Sequence, residues 1–208
     1  MAQETGDSAA SIARAYPAMS TYADEIVRVS KVIGIHPSWL ANVINFESGG
    51  NPQARNRLSD ASGLIQFMPF TAKPYGLTVE QIRAMSGRDQ MKLVERYFSR
   101  KAGKLKSQED VYMMVFYPVA IGNPDFQFPP SVTKYNPGIY TPRDYVKMAN
   151  RRAKLATYVG QVAAEVVTRA EAAAGAAEKA TGVPWPMIVV SLGLALMAVT
   201  GAFAKKVA

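Results

Sequence analysis

The sequence offers few side chains that could perform acid–base or nucleophilic chemistry. Cysteine is absent from the 208 residues, and His36 is the single histidine. Thiol catalysis and disulfide scaffolds are therefore excluded, and a catalytic zinc, which usually takes three protein ligands, is not expected. Carboxylates remain as candidates for a general acid or base. The main candidate is Glu47, and the next acidic residue along the chain is Asp60. We predict neither a metal nor a cofactor.

Glu47 occupies the end of a predicted helix. Leu40, Val43 and Ile44 recur at the spacing of one helix face, and Glu47 is the next position on that face. Residues 48–52, Ser-Gly-Gly-Asn-Pro, end the helix directly after it. A carboxyl group in such a position is partly removed from water, which raises its pKa toward the value that a general acid needs near neutral pH. A glutamate in a last turn is usually just solvated, so its position alone does not establish a catalytic role.

The remaining pattern predicts a mainly α-helical chain. Helices are predicted over residues 22–33, from Pro37 to Glu47, and over residues 90–97, 109–117 and 144–179. Gly34 is expected to end the first of them, and the prolines between residues 122 and 142 predict a loop. We divide the chain into a flexible segment at 1–20, a globular domain at 21–150, an alanine-rich helical linker at 151–182 and a membrane anchor at 183–208.

The C-terminal segment has the pattern of a transmembrane helix. No charged residue stands between Lys179 and Lys205, and residues 185–203 are almost wholly apolar. About 20 such residues cross the hydrocarbon core of a bilayer, and Trp185 lies where an interfacial aromatic residue is expected. The sequence thus predicts a single-pass membrane protein with the lipid bilayer as a partner. The polar start of the chain lacks the pattern of a secretory signal.

The chain is basic, with a formal net charge of +8. Such a charge attracts anionic polymers and lipids. Two groups of basic residues recur at helical spacing, namely Arg88, Lys92, Arg96 and Arg100, and then Arg143, Lys147 and Arg151. This spacing is typical of a solvated helix face. Because no groove-reading motif accompanies them, we do not expect nucleic acid as a partner.

Three blocks of sequence resemble the soluble lytic transglycosylase family. They are residues 47–52, residues 63–69 (Gly-Leu-Ile-Gln-Phe-Met-Pro) followed by Thr71 and Ala72, and residues 135–138 (Tyr-Asn-Pro-Gly). The segment at residues 115–122 is similar to the phage-borne branch of that family. Ile65, Lys134 and Pro137 depart from the usual pattern of the family.

The resemblance implies a mainly α, lysozyme-like domain (α+β superfamily) with a groove for peptidoglycan glycan strands. It implies cleavage of the β-1,4 bond between N-acetylmuramic acid and N-acetylglucosamine, with formation of a 1,6-anhydro ring and without water. Glu47 would be the catalytic acid and base. Ser48 would bond to Glu47 or to the glycan, Gln66 would line the groove, and Tyr135 and Asn136 would face the reacting sugar and orient Glu47.

Two alternatives stay open. A hydrolytic muramidase on the same fold would need a positioned water and a second carboxylate, for which Asp60 is the candidate. A structural membrane protein of a virion would carry the same domain without activity. The combination of this domain with a membrane anchor suggests a phage that has an internal virion membrane. There the enzyme would help the genome through the cell wall, with other virion proteins as partners.

Overall fold

The computed structural model describes residues 8–181, in which the chain is mainly α-helical. The α-helices of these residues are α1 (Ala9–Ala15), α2 (Ala23–Ile33), α3 (Pro37–Ser48), α4 (Pro69–Ala72), α5 (Val79–Ala84), α6 (Gly87–Ser99), α7 (Gln108–Phe116), α8 (Pro130–Thr133) and α9 (Pro142–Thr181). Short 3-10 helices lie at Pro17–Tyr22, Lys73–Tyr75 and Pro118–Ala120. Isolated antiparallel bridges join Ser62 to Arg55 and to Phe67. The prediction of a mainly α-helical domain is confirmed.

Glycines end helices α2 and α3 where the sequence predicts. Gly34 and Gly49 have φ angles of 76° and 62°, in the left-handed region that glycine adopts without a Cβ clash. Their N–H groups donate to the carbonyls of Ser30 and Asn45, each at 2.9 Å. The end of α3 is therefore well defined, and Glu47 lies in its last turn.

Within the segment predicted to be flexible, residues 1–20, the structure describes residues 8–20. Part of this segment forms α1, and the side chains of Ile12 and Met19 are 2% and 0% exposed. Met19 packs against Gly50, where an added Cβ would lie 2.9 Å from the Met19 Cγ. The hydroxyl of Tyr22 also donates to the carbonyl of Gly50 at 2.6 Å. The N-terminal segment thus covers the turn that follows Glu47.

The central contacts of the domain join α2 to α6 and α3 to α7. Several basic residues predicted to form a solvated face of α6 interact within the domain. Arg88 pairs with Asp24 at 2.6 Å, and the guanidinium of Arg96 lies 5.0 Å from the ring centroid of Tyr75. Because the ion pair is solvent-exposed, it contributes little to stability.

The chain divides into two compact units, Met1–Ala153 and Lys154–Ala208. The first contains α1 to α8 and the start of α9, and the rest of α9 belongs to the second. Among residues 8–181, no helix combines the length and the apolar character that crossing a bilayer requires. The predicted membrane span at residues 185–203 lies outside the described residues.

Candidate active site

Glu47 lies on the face of α3 that is turned to the core. Leu40, Val43 and Ile44 on this face are fully buried, and Glu47 is partly buried. Burial raises the pKa of Glu47 from its ordinary value of 4.5 to about 7, because removal from water disfavours the charged carboxylate. A carboxyl group with this pKa can give up and take back a proton near neutral pH.

A hydrogen bond from Tyr145 opposes part of this shift. The Tyr145 hydroxyl donates to the carboxylate of Glu47 and lowers its pKa. The pKa of Tyr145 is itself raised, first by burial and then by the negative charge of Glu47, so the phenol keeps its proton and remains the donor. Tyr145 comes from the first turn of α9, and the sequence prediction omits it because no spacing relates it to Glu47.

Three aromatic rings hold Tyr145 in place. The ring of Phe116 stacks on it with 4.2 Å between centroids. Phe46 and Tyr112 meet it edge to face at 5.5 and 5.8 Å. Such pairs contribute about 0.5–1.5 kcal/mol each beyond their buried area. The donor to Glu47 is therefore fixed by packing, since its side chain is only 5% exposed.

A cleft of about 240 Å³ borders on this aromatic cluster. It is lined by Ile65, Gln66, Phe67, Met68, Phe70, Thr71, Tyr97, Val115, Phe116 and Pro118. Glu47 is not among these residues, but it is connected with the cleft in two ways. Phe116 stacks on its partner Tyr145, and the charge of Glu47 acts on Tyr97, whose pKa is raised first by burial.

Gln66 lies on the wall of the cleft in a tight turn. Its φ angle of 51° is in the left-handed region, which is uncommon for residues other than glycine and is found at functional sites. The side-chain amide donates to the carbonyl of Gly63 at 3.0 Å and closes the turn. A contact between Gln66 and a glycan stays a prediction.

Two polar side chains attach the block at residues 63–69 to the rest of the domain. Ser48 donates from its hydroxyl to the carbonyls of Ile44 at 3.0 Å and Leu64 at 2.9 Å. Gln90, which is fully buried, accepts from the Leu64 N–H at 2.8 Å and donates to the carbonyl of Pro52 at 2.7 Å. Ser48 therefore has a positioning contact that the sequence did not predict, and its bond to the glycan stays a prediction. The sequence prediction also omits Gln90.

Tyr135 and Asn136 lie in the turn after α8. Tyr135 is 77% exposed, with the ammonium of Lys134 at 5.6 Å from its ring centroid. The amide of Asn136 donates to the carbonyl of Val132 at 2.9 Å. Their predicted role of orienting Glu47 stays a prediction, and the hydrogen bond that perturbs Glu47 comes from Tyr145.

Asp60 and His36 have structural partners. Asp60 Oδ1 lies 2.7 Å from the Nε of Arg55 and 3.6 Å from a terminal nitrogen of Arg83. His36 caps α3 by accepting at Nδ1 from the Ser38 N–H at 3.3 Å. Among the residues that the structure describes, no group of His, Cys, Asp and Glu is arranged to hold a metal ion.

Residues 26–116 match the family model of the transglycosylase SLT domain. The chain gave no significant match to a curated protein or to a solved structure. The matched segment contains Glu47, Ser48 and Gln66, whereas Tyr135 and Tyr145 follow it. The match supports the SLT family for this segment, and the mainly helical structure is consistent with a lysozyme-like domain of that type.

Proposed function

We propose, with the match of residues 26–116 to the transglycosylase SLT domain as premise, that this chain is a lytic transglycosylase acting on peptidoglycan. The observation that carries the proposal is the state of Glu47. It is a partly buried carboxyl group of the matched segment with a pKa raised to about 7, and a neutral phenol donates a hydrogen bond to it. This combination suits a group that must act first as an acid and then as a base.

In this proposal Glu47 serves both proton transfers. The protonated carboxyl gives its proton to the oxygen between N-acetylmuramic acid and N-acetylglucosamine, and the bond from that oxygen to C1 of the muramoyl sugar breaks. The Glu47 carboxylate then takes the proton of the muramoyl 6-hydroxyl, whose oxygen bonds to C1 and closes the 1,6-anhydro ring. The hydroxyl of Tyr145 orients the carboxyl group and stabilises the carboxylate between the two steps.

A hydrolytic muramidase is the second candidate. Glycosidases that use water generally have two carboxyl groups flanking the bond. The candidate for the second group is Asp60, which forms ion pairs with Arg55 and Arg83. A carboxylate engaged in this way is a weaker candidate for activating water, so we favour the mechanism with a single carboxyl group.

Mass spectrometry of the muropeptides released from purified sacculi by the full chain tests the proposal. Transglycosylation gives anhydro ends, which are lighter by one water than the reducing ends of hydrolysis. Glu47→Gln keeps the shape of the side chain but removes the proton, and the rate should fall about 10²–10⁴-fold. Glu171→Gln, at an exposed glutamate of α9, is the matched control and should leave the rate unchanged.

Three other patterns of muropeptide release would contradict the proposal. Reducing ends would favour the muramidase. Release by a correctly folded Glu47→Gln variant at the wild-type rate would remove Glu47 from the mechanism. If the folded wild-type chain released no muropeptides, the remaining alternative would be a non-catalytic structural protein of a virion membrane.

We further propose that the chain is a single-pass membrane protein of a phage virion, with other virion proteins as partners. Support comes from the uncharged apolar stretch at residues 185–203, from Lys205 and Lys206 after it, and from the resemblance to the phage-borne branch. In flotation with liposomes, the full chain should float and a chain ending at Thr181 should not. Equal behaviour of the two chains would contradict the anchor, and absence of the protein from purified virions would contradict the location.

A further inference from the structure

One wall of the cleft carries an aromatic side chain that the core does not cover. Phe70 lies in α4 and is 74% exposed, whereas Phe67 and Ala72 on either side are 2% and 0% exposed. Pro69 occupies the first turn of α4, and the N–H groups of Thr71 and Ala72 both donate to the carbonyl of Met68 at 2.9 Å. The backbone that holds Phe70 outside the core is therefore fixed by hydrogen bonds and by proline.

Phe70 is one of several apolar side chains that line the cleft. A single exposed apolar side chain needs no explanation, but contiguous ones beside a cleft mark a binding site. Phe70 lines the cleft together with Met68, Phe116 and Pro118. Val119, the neighbour of Pro118, is also 74% exposed. Apolar side chains of two segments, residues 65–70 and 115–118, thus line the cleft.

The cleft is linked to Glu47. The ring of Phe116, on the wall formed by the end of α7, stacks on Tyr145, and Tyr145 donates to Glu47. Tyr97, which also lines the cleft, lies within the electrostatic influence of Glu47. A molecule in contact with Phe70 would therefore occupy a cleft that is linked to the proposed acid through Phe116 and Tyr145.

The size and lining of the cleft fit one sugar of a longer strand. Its volume of about 240 Å³ is below the roughly 300–1,000 Å³ of pockets that enclose a whole small ligand. A pyranose ring has an apolar face of C–H groups and a rim of hydroxyl and amide groups. Phe70 offers an aromatic face to the C–H groups of the ring. Gln66 and Thr71 offer polar groups to its hydroxyl and amide groups.

We propose that Phe70 is a substrate-binding residue that stacks on a pyranose ring of the glycan strand beside the scissile bond. This inference rests on the proposed function, because it assigns the substrate contact of the same site. The contact is made before and during bond cleavage alike, so it contributes to binding and not to the chemical step.

Kinetics of the full chain on purified sacculi test the inference. Phe70→Ala should raise the half-saturating sacculus concentration about tenfold, the change that about 1.4 kcal/mol of lost binding produces, and leave kcat unchanged. Phe70→Trp should restore the wild-type value, because it keeps an aromatic face. Leu58→Ala is the matched control, since Leu58 is 100% exposed but does not line the cleft, and it should have no effect.

Melting temperatures check that the variants fold, and replacement of an exposed side chain should change them little. An unchanged half-saturating concentration in Phe70→Ala, a fall in kcat alone, no restoration by Phe70→Trp, or an equal effect of Leu58→Ala would each overturn the inference.

Binding without turnover separates this inference from the proposed function. The Glu47→Gln chain, with and without Phe70→Ala, is sedimented with sacculi, and binding should weaken about tenfold when Phe70 is lost. Binding that depends on Phe70, combined with no release of muropeptides by the wild type, would refute the enzymatic function and leave the glycan contact in place. No binding to sacculi in either chain would refute the glycan contact.

Discussion

Replacement of Glu47 by glutamine should stabilise the protein above neutral pH, although it should lower the rate of cleavage about 10²–10⁴-fold. Burial raises the pKa of Glu47 to about 7, whereas the unfolded chain has the ordinary value of 4.5. Between these two values the folded state holds a proton that the unfolded state has released. The free energy of unfolding therefore falls as the pH rises through this window.

The size of this effect follows from the two pKa values. The difference between 4.5 and about 7 corresponds to about 3 kcal/mol, at about 1.36 kcal/mol for each pKa unit. The loss is absent below pH 4.5, where both states are protonated, and complete above pH 7, where both are ionised. Glutamine is neutral throughout. The free energy of unfolding of Glu47→Gln, relative to that of the wild type, should therefore be about 3 kcal/mol higher above pH 7 than below pH 4.5.

Chemical denaturation of the full chain at a pH below 4.5 and at a pH above 7 measures this gain. Glu171→Gln, at an exposed glutamate, is the control and should differ from the wild type by no more than about 0.5 kcal/mol at either pH. If the difference between Glu47→Gln and the wild type were the same at both pH values, the carboxyl group would not be removed from water and the reasoning would be refuted.

Two further predictions concern the surroundings of Glu47. Tyr145→Phe removes the hydrogen bond that lowers the pKa of Glu47, so the pH above which activity declines should move upward, and a downward shift in the pH–rate profile would contradict this. Gly63→Ala should lower the free energy of unfolding by about 1–3 kcal/mol more than the control Gly76→Ala, as measured by denaturation. Both glycines have positive φ angles, but only at Gly63 would the new Cβ meet another group, the Gln90 Oε1 at 2.5 Å; equal losses would contradict the packing argument.

The position of Glu47 could be predicted because it depends on local sequence alone. Leu40, Val43 and Ile44 define the face of α3, and Gly49 ends the helix. Helical spacing then places Glu47 on the apolar face, and desolvation follows from that placement. The membrane span also rests on local sequence, but it stays a prediction, since residues 185–203 lie outside the described residues.

The partners of Glu47 could not be predicted in the same way. Tyr145 and Gln90 act through tertiary contacts, with Glu47 and Leu64 respectively, and no periodicity relates residues on different helices. The packing of Met19 and Tyr22 against Gly50 was missed for the same reason. The N-terminal segment has too few apolar residues to indicate a helix alone, but Met19 and Tyr22 hold it against Gly50.

The stacking of Phe116 on Tyr145 sets a limit on how far this domain could be shortened. The segment that matches the SLT family ends at Phe116, and the ring of Phe116 stacks on Tyr145, which lies outside that segment. The segment likewise begins after Met19, which covers Gly50. A fragment cut at the borders of the similarity would keep Glu47 but lose Tyr145, and it would expose the apolar surfaces that Tyr145 and Met19 cover. A fragment that keeps these contacts therefore has to extend from α1 through the first turns of α9.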